Sequence, residues 1–87
     1  MTGPRIASEK KIQPTTKFGN VALTERQITL CILVTQNCSN EEIAGYLKTT
    51  KHMVKKWLFE IFEVTGMSNR LELAVWAMQW IVKSLTV

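Results

Sequence analysis

The sequence predicts an all-α fold, a four-helix bundle containing a helix-turn-helix, on three observations. Apolar residues recur at helical spacing in four segments beyond Leu23. The short connections between those segments carry hydroxyl, Asn and Gly residues where helix ends need caps. No stretch reads as a credible strand.

Residues 1–20 read as a flexible basic tail or linker, because Pro4, Pro14, Gly3 and Gly19 fall there with little apolar patterning. Residues 21–87 read as the folded domain, ending in a helix suited to dimerisation. The first helix begins at Thr24, whose hydroxyl can accept from an exposed amide while Gln27 reaches back from three residues on. Leu23 is placed to staple against Ile28. Ile28, Cys31, Ile32 and Leu33 follow at helical spacing, and Asn37 stands where a left-handed residue would end the helix. Ser39 or Asn40 starts a second helix, with Glu41 and Glu42 in its dipole-favoured first turn and Ile43, Ala44 and Leu47 as its apolar face. Gly45 inside so short a helix costs about 1 kcal/mol of propensity, which a close helix crossing would justify.

Thr49 or Thr50 caps the third helix, which runs to about Thr65 with Val54, Leu58, Ile61 and Phe62 on one face. Gly66 ends it, and Ser68 or Asn69 caps a fourth helix from about Arg70 to Ser84. The stripe expected to face the core of that helix is Leu71, Ala74, Val75, Met78, Ile81 and Val82. Trp76 and Trp80 share an adjacent face at i,i+4.

Composition narrows the classes. At 87 residues the chain makes one small domain, and a partner subunit can supply part of its stability. Two cysteines are too few for a disulfide scaffold, so a reducing cytoplasm is the expected compartment. No apolar run approaches the roughly 18 residues that span a bilayer. The net charge is +4, of which residues 1–22 carry +3, leaving +1 for the rest. Positive potential on the folded part must therefore come from clustering, and Lys48 to Lys56 is the one cluster. His52 is the single histidine and lies far from Cys31 and Cys38, so no metal site is expected. Neither cysteine has a base and an orienting group beside it, and no phosphate loop is present, so no enzyme, catalytic residue or cofactor is expected.

Only Lys48 and Thr49 separate Leu47 from the Thr50 cap, so the second helix should cross the third steeply and project its N-terminal end. Positions 50, 51, 52, 55, 56 and 59 then point outward while 54, 58, 61 and 62 point inward. Lys55 and Lys56 are the candidate contacts to base edges or groove-wall phosphates, and Lys48, Thr50 and Lys51 the candidate contacts to backbone phosphate. His52 is either a phosphate neighbour or a plain surface residue, and Phe59 completes the outward set. The alternative for the lysines is a solvated helix face. On the last helix Trp76, Gln79, Trp80 and Lys83 are the candidate dimer contacts, with packing of the tryptophans in the core as the alternative.

Five pieces stand in order along the chain: LTER at 23–26, SNEEIA at 39–44 with Leu47, Val54-Lys55, IF at 61–62 and G-x-S-N-R-x-E-L-A at 66–74. From Leu23 to Ala74 the chain resembles the DNA-binding domain of LuxR/FixJ-type (NarL-type) bacterial transcriptional regulators. The resemblance implies sequence-specific binding of double-stranded DNA as a homodimer, with the recognition-helix lysine at Lys55 and a variable base-reading neighbour at Lys56. It also implies a dimer contact through the fourth helix. Met53 and Trp57 stand where that family commonly has a threonine and a histidine that help hold the DNA backbone, and Asn37 replaces its usual glycine. Two classes follow: a DNA-binding regulator whose helix 50–63 enters a major groove, or a repurposed helix-turn-helix module that binds another protein.

Overall fold

A computed structural model describes residues 15–18 and 21–85, with side chains described over 21–83. Two short strands, β1 (Thr15–Phe18) and β2 (Val21–Thr24), precede four helices. These are α1 (Glu25–Thr35), α2 (Asn40–Leu47), α3 (Lys51–Thr65) and α4 (Arg70–Leu85). The four helices form a compact all-α bundle in which α1 packs chiefly on α4 and α2 on α3.

The hairpin is a feature that the sequence did not announce. β1 and β2 pair antiparallel, Thr15 opposite Thr24 and Phe18 opposite Val21, so part of the stretch assigned to the tail belongs to the fold. Residues 1–14, 19 and 20, the rest of that tail, lie outside the described residues. Within β2 the burial alternates: Leu23 is fully buried, Val21 is half-buried and Ala22 is exposed. Four residues are too few to display that period-two signal against the helical pattern that follows.

Each helix starts where a side-chain oxygen is available. Thr24 Oγ1 accepts from the Gln27 amide at 3.2 Å, and Gln27 Oε1 accepts from the Thr24 amide at 2.9 Å. Ser39 and Glu42 repeat this capping box on α2, at 3.1 and 2.8 Å. Thr50 Oγ1 accepts from the Met53 amide at 3.1 Å to open α3. Asn69 Oδ1 accepts from the Glu72 amide at 2.9 Å to open α4, while Glu72 Oε1 accepts from the Ser68 amide at 2.8 Å.

The helix ends are set by three left-handed residues, Asn37, Lys48 and Gly66. At Asn37 and at Lys48 the residue's own amide and the next bond back into the last turn: Asn37 and Cys38 donate to Val34 and Leu33, and Lys48 and Thr49 donate to Gly45 and Ala44. Both are Schellman turns. The expected role of Gly45 is overturned, because it is exposed and a Cβ built there meets nothing within 4 Å. No helix crosses close enough to require its missing side chain.

Leu23, Leu30, Cys31, Ile43, Val54, Ile61, Leu73 and Ala77 are fully buried, and Leu58 nearly so. Val54, Leu58 and Ile61 are the inward face expected of the third helix, with Phe62 half-buried beside them. On α4 the expected orientation is corrected. Leu73 and Ala77 face the core, whereas Leu71, Val75, Met78 and Val82 are exposed. Ala74 and Ile81 pack partly against the core, as do Trp76 and Trp80. The cause is composition: α4 is apolar on nearly every side, so helical spacing alone gives no unique inward face. No described helix is long and apolar enough to cross a membrane.

Candidate nucleic-acid interface

Three residues connect α2 to α3, and their conformations decide what the surface presents. Lys48 occupies the left-handed region at φ 57°, ψ 51°, turning the chain so that Thr50 can cap α3. A lysine there is unusual, since glycine or asparagine fits that conformation without a Cβ penalty. The chain thus holds an exposed cation at a turn where its backbone would be better served by glycine.

Along the first turns of α3, Thr50, Lys51, His52, Lys55, Lys56 and Phe59 are all exposed, and Val54 and Leu58 are buried on the opposite side. His52, Lys55, Lys56 and Phe59 are spaced by three and four residues and form one continuous face. Among the described residues, no carboxylate pairs with Lys48, Lys51, Lys55 or Lys56. Their charges are therefore open to a polyanion. Glu60 and Glu63 follow on the rear half of the helix, which concentrates the positive potential at its N-terminal end. That end also presents the unpaired amides and positive dipole of a helix start.

A polar cleft runs beside this face, between the start of α2 and α3, lined by Ser39, Asn40, Glu41, Lys51, His52, Lys55 and Arg70. Arg70 is the residue that sequence reasoning passed over. Its Nη1 donates to Asn40 Oδ1 at 2.7 Å and its Nη2 donates to the Cys38 carbonyl, tying the start of α4 to the α1–α2 turn. A signal was present: a cation opening a helix opposes the helix dipole, so Arg70 required a compensating partner elsewhere. Phe59 edges a smaller hollow with Lys55, Phe62 and Arg70 and is itself 61% exposed.

Trp57 is half-buried rather than free, and the Arg26 guanidinium lies over its ring at 4.2 Å from the centroid. Of the candidate dimer residues, Trp76 and Trp80 are half-buried against the core, and Gln79 and Lys83 are exposed. Lys83 Nζ sits 4.7 Å from the Trp80 ring. An apolar groove lined by Thr35, Ala74, Val75, Met78, Trp80 and Val82 runs along α4, and Gln79 and Lys83 border it. Cys31 is fully enclosed, and burial pushes its thiol up from 9.0 to about 11, so it is a core residue without nucleophilic character. Among the described residues, no three His, Cys, Asp or Glu side chains cluster as metal ligands would.

The site is thus a cationic helix face on a small helical bundle. Over 56 residues the chain is 39% identical to the response regulator Rre1 of Synechocystis sp., an alignment that covers 64% of this chain and 24% of Rre1. The chain therefore matches about a quarter of that relative's length. No family model matches the chain. No solved structure matches it.

Proposed function

We propose that this chain is a LuxR/FixJ-type DNA-binding regulator domain in which α2 and α3 form a helix-turn-helix and α3 enters the major groove of double-stranded DNA. The observation that carries the reading is the face of His52, Lys55, Lys56 and Phe59, flanked by Lys48, Thr50 and Lys51, on a folded region whose other charges, three cations against six carboxylates over residues 23–87, are net negative. Partial similarity to a response regulator supports a place in signal-dependent transcription. Lys55 and Lys56 reach base edges or the groove walls, while Lys48, Thr50, Lys51 and His52 engage backbone phosphates. The work is binding rather than catalysis, in a bacterial cytoplasm, without metal or cofactor.

The domain acts as a homodimer through α4. Its outward ridge of Leu71, Val75, Met78 and Val82, spaced by four, three and four residues, lies opposite the buried Leu73 and Ala77. Trp76, Gln79, Trp80 and Lys83 flank that ridge and border the grooves beside it. A two-fold arrangement would present two α3 faces to successive half-sites.

Selection from a random duplex pool, followed by a salt series with the double variant Lys55→Ala/Lys56→Ala, tests the reading. Each good base contact contributes about 1–3 kcal/mol, so the variant should lose at least tenfold in affinity for the selected site. Specific binding left unchanged would overturn the groove assignment. A second reading, a protein-binding module, is favoured by one observation, the exposure of Phe59 in the middle of α3. Failure of the wild type to enrich any duplex would leave that reading standing.

A further inference from the structure

Arg26 carries an inference that the groove face does not contain. It stands in the first turn of α1, is exposed, and lies over the Trp57 ring at 4.2 Å. Among the described residues it has no carboxylate or other hydrogen-bond partner. Stacking uses the face of a guanidinium and leaves the N–H donors around its edge pointing outward. The indole therefore sits against the cation without taking up its hydrogen-bond donors.

Its location gives that cation a role. Trp57 follows Lys56 and lies on the same side of α3 as the Met53 that precedes it by one turn. Arg26 thus stands on one flank of the helix, whereas Lys51, Lys55 and Arg70 line the cleft on the other. A helix in a major groove about 12 Å wide runs between two phosphate walls, one on each flank. In such a groove the lysine cluster would face one wall and Arg26 the other.

We infer that Arg26, oriented by stacking on Trp57, is a phosphate-binding residue that braces α3 against the second wall of the groove. This rests on the DNA-binding reading. The contact is to backbone, so it adds affinity at every sequence and none of the discrimination.

The experiment measures affinity over a salt series for wild type, Arg26→Gln and Arg26→Lys, on the selected duplex and on an unrelated one. Removing one phosphate contact lowers the steepness of log K against log salt by about 1 and weakens both duplexes alike. Arg26→Gln should show that change, with affinity at low salt down roughly threefold to tenfold. Arg26→Lys should keep the wild-type slope, because the charge is retained, while losing affinity through its poorer stacking. An Arg26→Gln slope equal to that of wild type overturns the inference, even if affinity or melting temperature falls, because a purely structural role leaves the slope alone. Should Arg26→Gln fail to fold, neutral methylphosphonate linkages placed singly along the wild-type site decide. Affinity lost only along the lysine-facing wall overturns the inference, and loss along both walls supports it. Absence of duplex binding by the wild type would instead overturn the DNA-binding reading, and this inference with it.

Discussion

Arg70 Nη1 and Asn40 Oδ1 meet at 2.7 Å across thirty positions of sequence, joining the first residue of α4 to the first residue of α2. The second Nη of the same guanidinium serves the Cys38 carbonyl, so one side chain holds three elements at the edge of the cationic face. Both bonds are partly buried and one partner is charged, a class worth about 1.5–3 kcal/mol each before solvent screening. Arg70→Met keeps the stem and removes the donors. It should lower stability by about 1–3 kcal/mol, seen as a fall of several degrees in the thermal midpoint. A midpoint unchanged from wild type would show that the tie is incidental.

Lys48 offers a separation of stability from function. Its left-handed backbone favours glycine, and its side chain is exposed with no carboxylate partner among the described residues. Lys48→Gly should therefore stabilise the fold by about 0.5–1 kcal/mol. The same change should weaken duplex binding and reduce its salt dependence by about one phosphate. A variant that melts higher yet binds as tightly as wild type would remove Lys48 from the interface.

How much of this was legible in the sequence depended on whether the deciding interaction was local. Thr24 with Gln27 and Ser39 with Glu42 are three residues apart, and their capping boxes could be read directly. The inward Val54, Leu58 and Ile61 were also legible, because α3 carries charge on its other side. For α4 the same logic failed: Leu71, Val75, Met78 and Val82 make as regular a stripe as Leu73, Ala77 and Ile81, and only the packing of α1 decides between them. The Arg70 tie and the Arg26–Trp57 stack join residues about thirty positions apart, where spacing carries no information. The outward set at 50, 51, 52, 55, 56 and 59 was legible because the core face of α3 leaves those positions nowhere else to point.

Cys31 gives the fold a pH dependence. The buried thiol has its pKa raised from 9.0 to about 11 by desolvation, so the unfolded chain releases this proton first as pH rises. Fewer protons are then bound in the unfolded state than in the native one, and stability falls with pH between 9.0 and about 11. The loss attributable to this group is on the order of 2–3 kcal/mol across that window and is absent below it. Denaturant midpoints of wild type and Cys31→Ala, measured across that interval, should converge as pH rises. Parallel curves would mean that the thiol reaches solvent before unfolding.

The exposed ridge of α4 yields the prediction most sensitive to the corrected orientation of that helix. Leu71, Val75, Met78 and Val82 are 74%, 55%, 45% and 48% exposed, a continuous apolar strip, whereas the other exposed large apolar side chains, Ile32, Tyr46, Phe59 and Val64, lie on other helices. Trp80 lies half-buried against the core, so its truncation should act first on folding, at about 1–3 kcal/mol. Val75→Lys and Met78→Lys remove nothing from the core and place charge on the strip. Sedimentation from micromolar to millimolar protein should show a monomer–dimer equilibrium for wild type that both lysine variants abolish, with melting at low concentration unchanged. Two half-sites bound by one dimer share one loss of translational freedom, so these variants should also lose affinity for a two-half-site duplex while keeping it for a single half-site. Dimers that persist with lysine at both positions would move the contact off this ridge and back to the flank of Trp76 and Gln79.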